Sequence, residues 1–437
     1  DRYHFREKGG FTMDVSMKRG GEKKPFQVVP DPDISIVLLH QHIGEKNEAL
    51  VDPGDKVLEG QKIGDSDEFL SAPVHSPISG EVVKIEDTHH PKYGTPSEAV
   101  FIQKGDVNQK PKRLDAFDKK ELDDIDPETL VKIVREAGIV GLGGAAFPSH
   151  IKLSSRDKTK NLLINAKESD PNLTCDIRLM KEKPQEIVNG ILAMARMLEV
   201  KDIVFASRGV EGGFPKLEKI LNEEGISIAR IRPCYSVGSD KLLIKEILDK
   251  EVPCEGLPPD VEALVHNVFT AYAASRAIFH GEPLISRGLT FISKETGPVN
   301  LWVKIGTPLS HIFNYLDVRA SSFKRVVFGS IMMGSTVPNT NVPTTKSTAG
   351  ITAFKPDERS PYEDSLPCIR CGYCNEVCPV DIYPVLIMEA EKKDDLSLMK
   401  KYHAEDCIDC GLCSYVCPSK IKLTEYLRNA AKKIKGR

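Results

Sequence analysis

Two cysteine runs near the end of this 437-residue chain constrain it more than any other feature. The first reads Cys368-x2-Cys371-x2-Cys374-x3-Cys378-Pro379, the second Cys407-x2-Cys410-x2-Cys413-x3-Cys417-Pro418. Each run places three thiolates on one tight loop, where they can hold three corners of an iron–sulfur cubane. The fourth starts the next helix and, in two-cluster proteins, ligates the other cluster. The spacing therefore predicts two [4Fe–4S] sites. One is Cys368, Cys371 and Cys374 with Cys417; the other is Cys407, Cys410 and Cys413 with Cys378. Gly372 and Gly411 let the loop backbone approach the sulfides. Zinc is the competing metal, but its sites use paired Cys-x2-Cys knuckles, a poor match to a duplicated run closed by proline.

Eight of the eleven cysteines fall within these runs. With no export pattern at the start of the sequence, that crowding points to metal in a reducing compartment rather than to disulfides. Cys175, Cys234 and Cys254 lack partners at ligand spacing and read as ordinary buried thiols. Formal net charge is −3, which gives no bias toward nucleic acid. No apolar run reaches the roughly eighteen residues of a transmembrane helix.

The stretch between the motifs, 379–406, carries Val385, Leu386, Met388, Leu396 and Met399 among charges. It reads as two helices, so residues 362–437 are expected to form an α-helical two-cluster ferredoxin domain. The tail 420–437 is basic, with Lys420, Lys422, Arg428, Lys432, Lys433, Lys435 and Arg437 against Glu425. It is either a solvated face or a dock for an acidic partner or anionic headgroups.

Upstream, the chain divides by rhythm. Residues 1–30 read as an extended arm. Residues 31–105 read as short strands punctuated by Gly and Pro, a small barrel or sandwich. Within them "VDPGDKVLEGQKIG" and "APVHSPISGEVVKI" resemble the barrel-sandwich hybrid of lipoyl and biotinyl carriers. Those carriers modify a hairpin lysine; Asp67–Ser71 has none, which favours a structural module. His40, His42, His75, His89 and His90 in this module are expected to be surface or satisfied core groups rather than metal ligands. A charged linker spans 106–126. Asp126-Pro127 is an N-cap and N1 pair opening a helix with Leu130, Ile133, Val134 and Ala137 on its apolar face. From there to about 280, strands at 161–164, 202–206 and 227–231 alternate with helices at 184–199 and 215–224, predicting an α/β unit over 120–280 with a mostly parallel sheet. Residues 281–357 read as a compact α+β module, with a long loop at 336–350.

Two loops in the α/β unit can carry a ligand. Gly141-Leu142-Gly143-Gly144-Ala145 follows the first helix and permits close backbone approach. Asn165-Ala166-Lys167-Glu168-Ser169-Asp170-Pro171 follows a strand, at the carboxyl end where α/β sheets bind ligands. Candidate cofactor residues are Gly141, Gly143, Gly144, Ala145, Glu168 and Asp170.

"GLGGAAFP" and "NAKESDP" together resemble the flavin- and NADH-binding subunit of respiratory complex I. The ordered segments "QHIG", "GDKVLEGQKIG", "SAPVHSPISG", "TCDIRLM", "PLISR", "KIGTPLS" and the two cysteine motifs resemble RnfC, a component of the Rnf ion-translocating oxidoreductase complex, over residues 34–430. The resemblance implies FMN and nicotinamide at the two loops and a ubiquitin-like SLBB module at 281–357. It implies a peripheral subunit on the cytoplasmic face of the membrane, held by integral membrane subunits. The complex would couple oxidation of reduced ferredoxin to Na⁺ or H⁺ translocation. The flavin region departs from the family at Gly209–Phe214, at Tyr235–Gly238 and at Phe269, whose bulk is expected to fill the pocket. An acceptor other than NAD, a cytochrome or quinone-like carrier, is therefore also implied. A soluble flavin-dependent reductase of the cobalamin-reductase kind is the alternative.

Overall fold

The computed structural model describes residues 20–105, 111–168, 170–208, 213–232, 235–358 and 365–436, with two short strands, Phe5–Arg6 and Gly10–Phe11, before them. Residues 34–104 form two facing sheets. Strands Ile34–Leu38, Pro96–Lys104, Gly80–His89 and Lys56–Val57 make the larger, and Glu48–Ala49, Lys62–Asp65 and Val74–His75 the smaller. Val37, Leu39, Val57, Ile63, Val82, Val100 and Ile102 fill the space between them, alternating with outward residues as half-buried strands require. Asp67–Phe69 lie at the surface, with Phe69 79% exposed, and Ser71 is buried.

The helix Pro127–Glu136 begins as its capping chemistry dictates: the Asp126 carboxylate accepts from the Thr129 amide at 3.1 Å. Leu130 and Val134 are fully buried on its inner face, each worth about 1.5–3 kcal/mol of burial. Beyond it lies a four-stranded parallel sheet ordered Ser227–Arg230, Asp202–Ser207, Asn161–Asn165, Ala263–Asn267. Helices Pro184–Leu198 and Val268–His280 pack together over it. All four strands end at one edge, so the loops that follow them share one surface.

A six-stranded mixed sheet follows. Its order is Ser335–Thr336, Arg325–Phe328, Gly350–Phe354, Ser286–Ser293, Gly297–Lys304, Gln27–Val28. Helix Leu309–Tyr315 packs on it through Leu309, Ile312 and Phe313. The expected N-terminal arm thus supplies an edge strand, parallel to Gly297–Lys304. The Thr/Pro/Asn-rich stretch is a loop, but not a surface one. Thr344, Thr345, Lys346 and Thr348 are buried, because the loop threads the seam between the other units. There Lys346 Nζ donates to the carbonyls of Pro73 (2.6 Å) and Gly138 (2.7 Å), and Arg287 donates to the carbonyls of Lys346 (2.5 Å) and Leu142 (3.3 Å). Two buried cations aimed at backbone carbonyls staple three units together, where unpaired carbonyls would be costly. Burial pushes the Lys346 ammonium down to about 7.

Residues 365–436 are helical, with Pro384–Lys392, Leu396–Lys401 and Leu423–Ile434 around a small core and no strand among the described residues. The basic tail is tied mainly to its own domain. Arg428 forks onto Asp409 at 2.7–3.0 Å, and Lys433 meets Glu391 and Asp394.

His42 and His75 are buried. Burial first, then the charge of Lys346, pushes both down to about 3 from 6.5. Their contribution is complete above pH 6.5 and is lost as pH falls toward 3, because the unfolded chain takes up protons there that the folded chain refuses. Urea midpoints, read from the fluorescence of Trp302, should therefore fall between pH 7 and 5. His75→Gln should remove part of that slope, up to about 1.4 kcal/mol per pH unit; an unchanged slope in the variant contradicts neutral burial.

Candidate iron–sulfur and flavin site

The two cysteine motifs fold as near copies. Arg370 and Asp409 both take positive φ (56° and 54°), as do Gly372 and Gly411 (83° and 80°) and Asp381 and Lys420 (54° and 56°). Short helices Tyr373–Glu376 and Leu412–Tyr415 follow each loop. The Arg370 amide donates to Cys368 Sγ and the Asp409 amide to Cys407 Sγ, both at 3.4 Å. Such N–H···S bonds stabilise charge on a ligating sulfur and tune a cluster's potential.

Cys378, Cys407, Cys410 and Cys413 line one small cavity of about 20 Å³, walled by Ile382, Leu412 and Leu427. This is the second set expected from the spacing, including its crossed member. Burial pushes the thiols of Cys407 up to about 12 and Cys410 up to about 11, and Cys378 raises both further. Burial keeps these four thiols protonated without metal, and a cationic iron core would displace the protons on binding. In the first set, Cys374 is raised by burial and then by Cys371 and Cys417, which places those sulfurs in one neighbourhood. The sets differ in exposure: in the first, Cys368 and Cys371 are exposed, Cys374 is half-buried and Cys417 buried, whereas in the second Cys378 and Cys413 are buried and Cys407 and Cys410 half-buried. Leu366, Ile369, Tyr373 and Tyr383 stand out around the outer set, 42–67% exposed.

The inner set faces the α/β unit. Leu412, Val416 and Val377 pack on Tyr235, with Met332 and Cys410 at the margin. Tyr235 lies in the short turn Tyr235–Gly238 at the carboxyl edge of the parallel sheet. Asp170 of the acidic loop lies beside it and accepts a hydrogen bond from Ser330 Oγ. The structure thus brings the acidic loop, the Tyr235 turn and the second cysteine loop together.

The glycine loop closes on itself. Gly141 N donates to Phe147 O (2.8 Å), Ala146 N to Gly141 O (3.0 Å), and Leu142 N to Thr270 Oγ1 (3.0 Å). That leaves Gly143, Gly144 and Ala145 as consecutive amides with no hydrogen bond among the described residues, and Gly143 and Ala145 are exposed. Gly144 has φ 108° with open space at its Cβ position, so backbone conformation demands glycine there. Three successive amides without an intramolecular partner, in a turn, are the groups from which an anion-binding nest is built. Lys92, from the first module, donates to the carbonyls of Gly144 (3.1 Å) and Ala145 (3.2 Å) and adds positive charge. These groups fit the phosphate or ring oxygens of FMN. Glu168 is engaged within the fold: its Oε2 accepts from the Asp176 amide at 2.8 Å, and Asn267 Nδ2 donates to Asp176 at 2.7 Å.

Phe269 does not fill this region. Its ring is buried among Phe26, Tyr272 and Trp302, with Arg287 5.5 Å from its centre, because it starts a helix whose inner face meets the six-stranded sheet. Of the other departures, Gly209–Gly212 lie outside the described residues, as do Ser169 and Cys234. Cys175 is buried as expected, whereas Cys254 is exposed on a turn between units. Lys92 and Arg287 went unrecognised in the sequence, since each acts from a different unit and no local pattern marks it.

Known proteins share this arrangement. Family models match residues 5–106 (RnfC barrel sandwich hybrid domain), 134–276 (Nuo51 FMN-binding domain) and 367–421 (4Fe-4S dicluster domain). A Clostridium ljungdahlii relative, named as a component of a proton-translocating ferredoxin:NAD(+) oxidoreductase complex, is 35% identical over 431 residues, 96% of this chain and 92% of the relative. The chain belongs to the RnfC family of ion-translocating oxidoreductase components. A Vibrio cholerae member of the family is 34% identical over 400 residues, 89% of this chain; the chain spans about half that relative's length, 51%. A NAD⁺-reducing [NiFe]-hydrogenase chain shares the fold, with TM-score 0.52 and 15% identity over 74% of this chain and 64% of that one. No helix among the described residues is long and apolar enough to cross a membrane.

A Cβ at Gly411 would lie 2.7 Å from the Met332 carbonyl oxygen, whereas one at Gly372 would meet nothing within 4 Å. Both substitutions carry the left-handed backbone penalty of about 1–2 kcal/mol. Gly411→Ala adds a clash at the seam. It should lose more iron on gel filtration than Gly372→Ala; equal losses would show that the seam does not support the inner set.

Proposed function

We propose that this chain is the peripheral iron–sulfur subunit of a membrane-bound Rnf-type complex that couples oxidation of reduced ferredoxin to Na⁺ or H⁺ translocation. It would sit at the cytoplasmic face, held there by integral membrane partner subunits. The observation that carries the reading is the graded placement of the two thiolate sets. One is buried against the Tyr235–Asp170 edge of the α/β unit and the other opens to the surface. Two [4Fe–4S] clusters supply one-electron storage and exchange when bound. Cys368, Cys371, Cys374 and Cys417 hold the outer one, and Cys407, Cys410, Cys413 and Cys378 the inner. Exposed Ile369, Leu366 and Tyr373 form an apolar rim at which a redox partner can exclude water.

At the other end, the amides of Gly143, Gly144 and Ala145, together with Lys92, would hold FMN, which when bound would supply both hydride and one-electron chemistry. Asp170 and Glu168, bonded to Ser330 and to the Asp176 amide, fix the shape of the acidic loop at the edge where a nicotinamide nucleotide would approach. The Clostridium relative's name, with ferredoxin and NAD⁺ in it, supports that pairing. A second reading, with a cytochrome or quinone-like carrier as acceptor, is favoured by the departures at Gly209–Gly212 and Tyr235–Gly238.

Acid extraction of protein with intact clusters separates the two. Stoichiometric FMN, reduced to below about a tenth in a Gly144→Val, Lys92→Ala double variant, supports the nicotinamide reading; no flavin in the parent protein supports the second. Crossed ligation has its own test. Cys378→Ser, although in the first motif, should remove the cluster held by the second motif and spare the other. Loss of the first motif's own cluster would contradict the assignment.

A further inference from the structure

Beside the second cysteine motif, three metal-ligating side chains from distant parts of the chain converge. Cys254 Sγ, a His403 ring nitrogen and a Glu405 carboxylate oxygen lie within 4.8 Å of one another. Cys254 belongs to a tight turn of the α/β unit, closed by the Gly256 amide on the Pro253 carbonyl at 3.0 Å. His403 and Glu405 belong to the cluster domain, at the start of the turn Ala404–Asp406 that runs directly into Cys407. His403 holds positive φ, 55°, at that start, with Asp406 3.9 Å from its ring.

Ordinary packing does not account for the cluster. Glu405 Oε2 is buried with no hydrogen-bond partner among the described residues. A carboxylate oxygen removed from water without a donor costs more than a neutral group in the same position. The charged groups acting on the Cys254 thiol are the carboxylates of Asp406, which is also hydrogen-bonded to it, Glu405 and Glu255, and no positive charge is among them. A bound cation answers that deficit directly.

We propose that Cys254, His403 and Glu405 bind a divalent ion of the zinc class, which ties the α/β unit to the segment carrying the inner cysteine set. One thiolate, one imidazole and one carboxylate are the donor types zinc takes, in tetrahedral sites that accept a fourth ligand from water or a further side chain. Calcium and magnesium prefer all-oxygen sets and do not match. On binding, the Cys254 thiol gives its proton to solvent and no electrons move. Cys254 and His403 are exposed, so the ion has a path of entry. The bridge fixes the turn at 253–256 against the residues just before Cys407, and so the position of the inner set relative to the α/β edge.

The test uses the full chain with its iron clusters loaded. Protein is exposed to zinc chloride and desalted, then zinc and iron are counted on the same sample and the zinc K-edge spectrum is recorded. The expected result is one retained zinc per chain, with a single sulfur at about 2.3 Å and nitrogen or oxygen elsewhere. Cys254→Ser and His403→Ala should each weaken zinc affinity at least about tenfold with iron content unchanged. Equal zinc retention in the parent and both variants overturns the site, as does a shell of four sulfurs, which would place the zinc in the cluster loops.

Discussion

The contact between the second cysteine loop and the edge of the α/β unit positions everything that electron exchange requires. Gly411 lies so close to the Met332 carbonyl that no side chain fits between them, and Leu412, Val416 and Val377 bury Tyr235 alongside it. Tyr235 and the acidic loop both sit where the parallel strands end. Their position is therefore set by the sheet, and the cysteine loop's position is set by them. Short-range electron exchange tolerates little separation, so a relay needs its inner ligand set held by packing rather than by a linker.

A second seam keeps the glycine loop in place. Arg287 and Lys346 are buried cations whose donors reach the backbone carbonyls of Leu142, Lys346, Pro73 and Gly138. Each removed alone would leave buried carbonyls unpaired and several packed units without their joint. Lys92 completes the arrangement from the barrel-sandwich side. The glycine loop is thus gripped from two directions, a constraint that limits the ordering cost of binding there.

The dicluster domain was legible in the sequence because a metal motif written in one short run is local: spacing alone puts Cys407, Cys410 and Cys413 on one loop, and the crossing of Cys378 to them is a proposal from general cluster chemistry. The parallel sheet was legible for a similar reason, through strands that alternate with capped helices such as Pro127–Glu136. What escaped was everything made by contact between units. The stretch at 336–350 reads only as a long loop, and nothing in it announces that Thr344–Thr348 line an interior seam, where their hydroxyls pair with one another and with backbone. Phe269 reads as an intruder in the flavin region, yet its helix turns it toward Phe26 and Trp302. Cys254 reads as an inert core thiol, yet it stands exposed beside a histidine nearly 150 residues away. No periodicity carries information of that range.

A relay of this kind requires eight cysteines holding two clusters, crossed between motifs and close enough to exchange single electrons. Low-temperature EPR of the fully reduced protein, with the signal integrated against iron content, reads that arrangement directly. Two neighbouring clusters should give about two spins for about eight irons, in a spectrum broadened by magnetic coupling between them. Two sharp, independent signals, or one spin with about four irons, would contradict the relay.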